Sequence, residues 1–132
     1  MSKHAAVPRP TDAELDILRI LWSRGKSTVR EVHGIISPRR DIGYTTVLKQ
    51  MQVMHLKGLL NRHERFRAHV YAPAQSRSAT QRALTKHLLE HAFEGSALRL
   101  LESAMGGLRL DAQEIADLRT VLDDVQKRRP QP

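Results

Sequence analysis

The sequence of 132 residues contains no cysteine. This absence excludes disulfides, thiolate nucleophiles, cysteine-based zinc sites and redox sensing through a thiol. Aromatic residues make up only 4% of the chain, which argues against a protein that stacks single-stranded bases on aromatic rings. No stretch approaches the roughly 18 apolar residues of a membrane span, and the N-terminal sequence has no apolar signal-peptide core. We therefore expect a soluble cytoplasmic protein without direct membrane contact.

Acidic residues are also scarce relative to basic ones. The chain has 22 Lys and Arg against 14 Asp and Glu, a net charge of +8, and a sequence pI of about 10.6. The excess is concentrated in residues 1–75, which hold 13 basic and 6 acidic residues, whereas residues 76–132 hold 9 and 8. The first part is therefore predicted to bind a polyanion, and the second part needs a different role.

Capping signals mark helices in the first part. Thr11 followed by Glu14 forms a capping box, and Ser27 or Thr28 caps a second, shorter helix. A third helix follows and ends at Gly58, because glycine accepts the left-handed conformation that closes a helix.

Strand-forming residues flank a basic run after the third helix. The run, residues 61–67, is expected at the tip of a hairpin whose second arm contains Val70 and Tyr71 and ends at Pro73. Three helices followed by a hairpin is the order of a winged helix-turn-helix. We therefore predict a mainly α protein with a small β-hairpin wing: a flexible arm over residues 1–10 and a winged-helix DNA-binding domain over 11–75.

The third helix has one apolar stripe and one polar face. The polar face offers hydroxyls, amides and an amine that can hydrogen-bond to base edges or phosphates in a major groove about 12 Å wide. Its residues are Thr45, Thr46, Lys49, Gln50 and Gln52. Arg62, Arg65 and Arg67 of the basic run are predicted to meet phosphates or a minor groove, although an ordinary solvated charge run is the alternative. Phe66 is either an exposed wedge or a residue packed back on the wing.

Helix-forming residues dominate beyond Pro73. Ser78 with Gln81, and Asp111 with Glu114, are further capping pairs. The apolar stripes of these helices exceed what a small domain can bury alone, so residues 76–126 are predicted to form a homodimerisation region. The predicted interface residues are Leu84, Leu88, Ala92, Leu98, Leu101, Met105, Ile115, Leu118, Leu122 and Val125. A basic tail, residues 127–132, is expected to be disordered.

One motif suggests a metal. His87, Glu90 and His91 match the H-x-x-E-H pattern of inverted zinc proteases, in which two histidines hold zinc and the glutamate activates water. A five-residue pattern on a chain with seven histidines is weak evidence. We interpret His87 and His91 as surface histidines, with a metal site as the minor alternative, and expect no cofactor and no enzymatic activity.

Four short segments, taken in order, carry a family resemblance. They are Pro10-Thr-Asp-Ala-Glu-Leu, Tyr44-Thr-Thr-Val, Lys57-Gly-Leu and Arg67-Ala-His-Val-Tyr. Together they resemble the BlaI/MecI/CopY family of bacterial repressors over about residues 10–125. The resemblance implies a homodimer whose winged helices bind a palindromic DNA operator and whose C-terminal helices form the dimer interface. It also implies that Tyr44, Thr45 and Thr46 lie at the groove-facing start of the recognition helix.

Two departures from the family pattern bear on regulation. The copper-responsive branch uses C-terminal cysteines, which are absent here. In the β-lactam branch a membrane metalloprotease cuts an Asn-Phe bond, but the single asparagine, Asn61, precedes Arg62. We predict proteolytic derepression by such a protease at another bond within residues 93–106. Two other functions remain open: a basic RNA-binding or nucleoid-type protein, and a zinc-dependent hydrolase built on His87, Glu90 and His91.

Overall fold

The computed structural model describes residues 7–128, which form six helices and one two-stranded antiparallel hairpin. This arrangement confirms the predicted mainly α fold with a β-hairpin wing. In chain order the elements are α1 (Asp12–Arg24), α2 (Val29–Ile36), α3 (Tyr44–Leu56), β1 (Leu60–Arg65), β2 (Ala68–Pro73), α4 (Arg77–Ala92), α5 (Ala97–Gly106) and α6 (Ala112–Arg128).

Capping boxes start the first two helices. The Glu14 N–H donates to Thr11 Oγ1 (3.2 Å), and the Thr11 N–H donates to Glu14 Oε1 (2.8 Å). Thr28 and Glu31 make the same reciprocal pair, so Thr28 caps α2. Ser27 instead pairs with β2: its N–H donates to the Tyr71 carbonyl oxygen (2.9 Å) and its carbonyl accepts from the Tyr71 N–H (2.8 Å). The wing is thereby joined to the α1–α2 connection.

A glycine turns the chain from α3 into the wing. Gly58 has φ +85°, its N–H donates to the His55 carbonyl (3.1 Å), and the Leu59 N–H donates to the Met54 carbonyl (2.9 Å). These two hydrogen bonds form a Schellman motif, which satisfies the last carbonyls of the helix. The turn directs Leu59 and Leu60 into the interior, so the wing begins with buried residues.

One hydrophobic core holds α1, α2, α3 and the base of the wing together. Its buried members are Ile17, Leu18, Leu21, Val29, Val32, Ile36, Val47, Met51, Met54, Leu59, Leu60 and Tyr71. Trp22 lies at the edge of this core and its indole N–H donates to the Gln75 carbonyl (3.0 Å), which fastens the chain just after β2 to α1. Because α3 and the base of the wing pack in the same core, the core fixes the orientation of α3 relative to the wing.

The chain divides into two compact units, one ending at His87 and one beginning at Leu88. The boundary falls within α4, so the extent of the predicted dimerisation region, residues 76–126, stays a prediction. Within the second unit, neither α5 nor α6 has a single buried residue. No helix in the described part of the chain is long and apolar enough to cross a membrane.

Two details of the helices differ from expectation. The cap of α4 is Ser76, whose Oγ accepts from the Ala79 N–H (3.1 Å), and not Ser78, because the chain turns into the helix immediately after β2. At the other end of the chain, Lys127 and Arg128 were expected in a disordered tail but form the last turn of α6. Cations are favourable there because they face the negative end of the helix dipole. Residues 129–132 lie outside the described residues.

The predicted N-terminal arm is described only from residue 7 onward. Pro10 is buried, and Arg9 Nη1 donates to His87 Nε2 (2.7 Å) on α4. A Cβ on Gly58 would lie 3.9 Å from Pro8 Cγ. Pro8, Arg9 and Pro10 therefore pack against the rest of the first unit, and residues 1–6 of the arm lie outside the described residues.

Candidate nucleic-acid interface

The exposed face of α3 is the first part of the candidate interface. Val47, Met51 and Met54 are fully buried on one side of the helix. The opposite side is centred, at helical spacing, on Thr45, Lys49 and Gln52, all exposed. Because these three side chains are exposed, they can reach base edges in a major groove. Gln52 belongs to the polar face predicted from the sequence, and the structure places it at the centre of that face.

Thr46 and Gln50 lie on the flank of α3 that faces α1. Together with Thr45 and Lys49 they line a groove of about 350 Å³ whose other wall includes Thr11 and Glu14 from the start of α1. Gln50 is half-buried there, whereas Thr46 is exposed. Gln50 is therefore less free to contact DNA than the sequence suggested, because α1 packs beside it.

An ion pair fastens α3 to α1 beneath this groove. Lys57 Nζ, just beyond the C-terminal end of α3, donates to Glu14 Oε1 (2.9 Å) and Oε2 (2.8 Å). Burial raises the pKa of the Glu14 carboxyl, but the hydrogen bonds from Lys57 and the Thr11 N–H outweigh burial and hold that pKa below its ordinary value. The Glu14 carboxylate thus caps α1 and also holds the C-terminal end of α3 against α1.

The wing presents its arginines differently from the predicted arrangement. The strands pair in the register Leu60↔Pro73 through Arg65↔Ala68, so the connecting turn contains only Phe66 and Arg67. The expectation that the whole basic run forms the tip is therefore wrong. Arg62 lies within β1 opposite Tyr71, and Arg65 is the last residue of that strand. A two-residue turn places the rest of the run in the ladder.

Strand alternation separates the basic side chains further. Arg62 and Arg65 are an odd number of residues apart, so they project from opposite faces of the hairpin. Both are exposed, as is Arg67 in the turn. Glu64, paired with His69 at 3.8 Å between Oε1 and Nε2, is the acidic residue of the hairpin. The wing thus offers positive charge in several directions and not as one patch.

A cleft of about 440 Å³ connects the wing to the beginning of α3. Tyr44 and Arg67 line it, together with Thr28 and Arg30 at the beginning of α2 and His69 on β2. The His33 ring contacts the Tyr44 ring edge to face, with centroids 5.9 Å apart, and a His33 ring nitrogen lies 2.9 Å from the Ile42 carbonyl oxygen. Sequence reasoning missed Thr28, Arg30 and His69, since their proximity to Tyr44 depends on the docking of three separate elements.

A family model described as penicillinase repressor matches residues 10–124. The chain belongs to the penicillinase repressor family. The transcriptional regulator BlaI of Mycobacterium tuberculosis is 35% identical over 123 residues, which cover 92% of this chain and 88% of that protein. The penicillinase repressor of Bacillus licheniformis is 23% identical over 123 residues, covering 93% and 96%. Among solved structures, the DNA-binding domain of the repressor BlaI is 27% identical with a TM-score of 0.50, over 55% of this chain and 89% of that domain.

Membership of the penicillinase repressor family makes the chain a DNA-binding transcriptional repressor and not an enzyme. The zinc-hydrolase alternative is thereby excluded as the function. Within residues 7–128, no group of three His, Asp or Glu side chains is arranged to hold a metal ion. In the H-x-x-E-H segment, His87 accepts the hydrogen bond from Arg9 described above.

Proposed function

We propose that this repressor acts in the cytoplasm as a homodimer on a palindromic operator, with α3 reading bases and the wing binding the DNA backbone. The supporting observation is that one chain combines an exposed polar recognition face with two helices, α5 and α6, that bury none of their residues. The first feature suits a duplex and the second suits a protein partner. A homodimer supplies both requirements, since two-fold symmetry matches two half-sites.

Base recognition is assigned to Thr45, Lys49 and Gln52, because they form the centre of the exposed face of α3. Amide, hydroxyl and amine groups pair with the donors and acceptors that distinguish base pairs in the major groove. Thr46 and Gln50 lie on the flank of α3 that faces α1. They are assigned to contacts with one side of the DNA major groove. Tyr44 shares a cleft with Arg67 and is assigned to the DNA backbone between helix and wing.

Backbone binding is assigned to Arg62, Arg65 and Arg67 of the wing. Their projection in different directions favours contacts to phosphates on both sides of a minor groove. Arg30, exposed on the first turn of α2, lines the same cleft as Arg67 and adds a further cation on that side. The net positive charge of this half of the chain promotes association with DNA at a rate that depends on salt.

The dimer interface is assigned to the second unit and the end of α4. Leu98 is 67% exposed and Leu122 is 58% exposed, as expected of a face that awaits a partner. Leu108 and Val121, at 60% and 56%, were not predicted and are further exposed apolar side chains of the second unit. The residues assigned to the dimer interface are Leu84, Leu88, Ala92, Leu98, Leu101, Met105, Ile115, Leu118, Leu122 and Val125. Isolated helices of these lengths are marginal in water, so association also stabilises them.

Selection of genomic DNA fragments by the purified full-length protein tests the repressor proposal. We expect recovered fragments to share an inverted repeat whose half-sites are separated by about one or more turns of roughly 10 base pairs. Excess RNA should not compete with these fragments. Recovery of fragments without a common sequence, or efficient competition by RNA, would contradict the proposal and favour a nucleoid-type or RNA-binding protein.

For derepression we propose cleavage by a membrane-bound metalloprotease within residues 93–106. This range contains the connection between α4 and α5, in which Glu94 and Gly95 have φ of +51° and +82° and are exposed. Irregular, exposed backbone opens for a protease more readily than a helix. Cleavage there detaches α5 and α6, so the two half-site contacts are no longer linked and avidity falls by about 10²–10⁴.

Immunoblotting of a C-terminally tagged copy in the native host tests the proteolytic proposal. After envelope stress or a cell-wall antibiotic, we expect a short tagged fragment whose mass places the cut within residues 93–106. If transcription from the operator rises while the protein stays full-length, release occurs by another route, such as a direct ligand or a metal at His87 and His91.

A further inference from the structure

Phe66 occupies the apex of the wing in an unusual state. It is the first residue of the two-residue turn between β1 and β2, and its side chain is 94% exposed. It also has φ +58°, in the left-handed region. The open question between a wedge and a residue packed on the wing is therefore answered, because a side chain with this exposure does not pack on the hairpin.

The positive φ and the exposed ring of Phe66 both reduce the stability of the folded protein. A two-residue hairpin turn that needs a positive φ is typically built from glycine, asparagine or aspartate, since a bulky side chain is strained there. A phenylalanine ring exposed to water also lacks the stabilisation that burial of its apolar surface would give. A strained residue at a functional surface points to a role in that function.

The surroundings of Phe66 indicate a polyanionic partner. Arg65 and Arg67 flank it directly and both are exposed. Arg67 lines the cleft that leads to Tyr44 at the beginning of α3. An aromatic ring between two cations, beside a helix suited to a major groove, fits the adjoining minor groove. Apolar side chains inserted there partly unstack a base step and bend the duplex.

Building on the proposed function, we propose that Phe66 is a wedge residue. Its ring enters the minor groove beside each half-site and inserts partly between two base pairs, while Arg65 and Arg67 hold the flanking phosphates. Pyrimidine–purine steps unstack most easily, so the operator is expected to prefer such a step at the wing position even though no hydrogen bond reads it. Phe66 thereby determines specificity through DNA deformability.

Full-length protein and operator duplexes carrying 2-aminopurine at successive wing-proximal steps provide the test. Binding of the unaltered protein should raise the fluorescence at one step per half-site, because unstacking relieves quenching. Phe66→Asn keeps a residue that tolerates the left-handed turn but removes the ring. It should abolish the fluorescence rise and weaken operator binding by about tenfold, the loss expected for one stacking contact.

Two control variants separate the ring from charge and from folding. Phe66→Tyr retains an aromatic ring and should keep the fluorescence rise, whereas Arg67→Ala keeps the ring and should weaken binding without abolishing the rise. The thermal midpoint of Phe66→Asn should be no lower than that of the unaltered protein, since the strain at this position is relieved.

The wedge is wrong if the unaltered protein prefers its operator to a scrambled duplex but produces no fluorescence rise, or if Phe66→Asn retains both the rise and the affinity. If the unaltered protein shows no preference for the operator, the proposed function itself fails and the wedge fails with it.

Discussion

Tyr71 shows how a single residue can serve the fold at a cost. Its side chain is fully buried in the core, yet its hydroxyl has no hydrogen-bond partner among the described residues. A buried hydroxyl without a partner loses its hydration and gains nothing in return. Tyr71→Phe should therefore raise the free energy of unfolding by about 1 kcal/mol, measured by urea denaturation.

The matched control for Tyr71 is Tyr44→Phe. Tyr44 is 43% exposed and its hydroxyl is not a buried atom without a partner, so removing that hydroxyl should leave the free energy of unfolding nearly unchanged. A lower free energy of unfolding in Tyr71→Phe than in the unaltered protein would show that its hydroxyl does have a partner.

The Glu14–Lys57 pair predicts a dependence of stability on pH. Because the pKa of Glu14 is lowered on folding, its contribution to stability is complete above its ordinary value of 4.5 and is lost as the pH falls through the lower folded value. The pKa of Glu31 is lowered as well, by hydrogen bonds from the Thr28 N–H and Arg24. Glu14→Gln keeps the hydrogen bond that caps α1 but removes the charge. It therefore isolates the contribution of the Glu14 carboxylate to the pH dependence of stability.

We expect the free energy of unfolding to fall less between pH 5 and pH 3 in Glu14→Gln than in the unaltered protein. The difference should be about 1 kcal/mol at most, because Lys57 is partly exposed and solvent screens the pair. Denaturation curves at several pH values measure it. Identical pH profiles in the two proteins would contradict the assigned ion pair.

Alanine substitutions at the residues assigned to bases and at those assigned to phosphates should weaken DNA binding in different ways. Lys49→Ala or Gln52→Ala should cost about 1–3 kcal/mol on the operator and relax the base preference at one position per half-site. Arg62→Ala or Arg65→Ala should weaken binding to operator and random DNA alike and reduce the salt slope by about one. Titrations at several salt concentrations compare them, and an equal loss of base preference in both groups would contradict this division.

Among individual residues, the roles that depend on strand register could not be predicted. The basic run was expected at the hairpin tip because its composition suggested a loop. The turn contains only Phe66 and Arg67, and neither is a glycine or asparagine that would have marked a tight turn. Without the register, the opposite directions of Arg62 and Arg65 could not be derived.

At the scale of elements, the helices were predicted well because their signals are local. Thr11 with Glu14 and Asp111 with Glu114 cap helices as expected, since each pair acts within one turn. The Ser27–Tyr71 bridge and the Glu14–Lys57 pair were not predicted, because both join segments distant in sequence. Such long-range contacts follow from core packing, which a single sequence does not reveal.

The candidate site mixes these two kinds of information. The polar face of α3 follows from helical periodicity, so Thr45, Thr46, Lys49, Gln50 and Gln52 were all selected from the sequence. Periodicity did not reveal that Gln50 is half-buried beside α1. The cleft between Tyr44 and Arg67 requires the wing to dock beside the first turns of α2 and α3. Thr28, Arg30 and His69 therefore entered the candidate interface only with the structure.

At the scale of the whole molecule, the first unit has its own core and the helices of the second have apolar surface without burial. A winged helix alone contacts one half-site, and dimerisation makes the second contact intramolecular. The proposed mechanism of release follows, because removing the dimerising helices leaves each winged helix folded but weakly bound. The central claim is that operator affinity depends on the second unit.

Leu122→Asp is the variant that tests this claim most directly. It places a charge on the apolar stripe of α6, whereas Thr120→Asp places the same charge at an exposed polar position of that helix outside the assigned stripe. The measurement is sedimentation velocity of each protein, alone and with a full palindromic operator or a half-operator. We predict a dimer for the unaltered protein and Thr120→Asp, with two chains on each full operator. Leu122→Asp should be a monomer that binds the half-operator normally and the full operator about 10²–10⁴ times more weakly. A Leu122→Asp monomer with full operator affinity, or an unaltered protein that binds as one chain, would contradict the account.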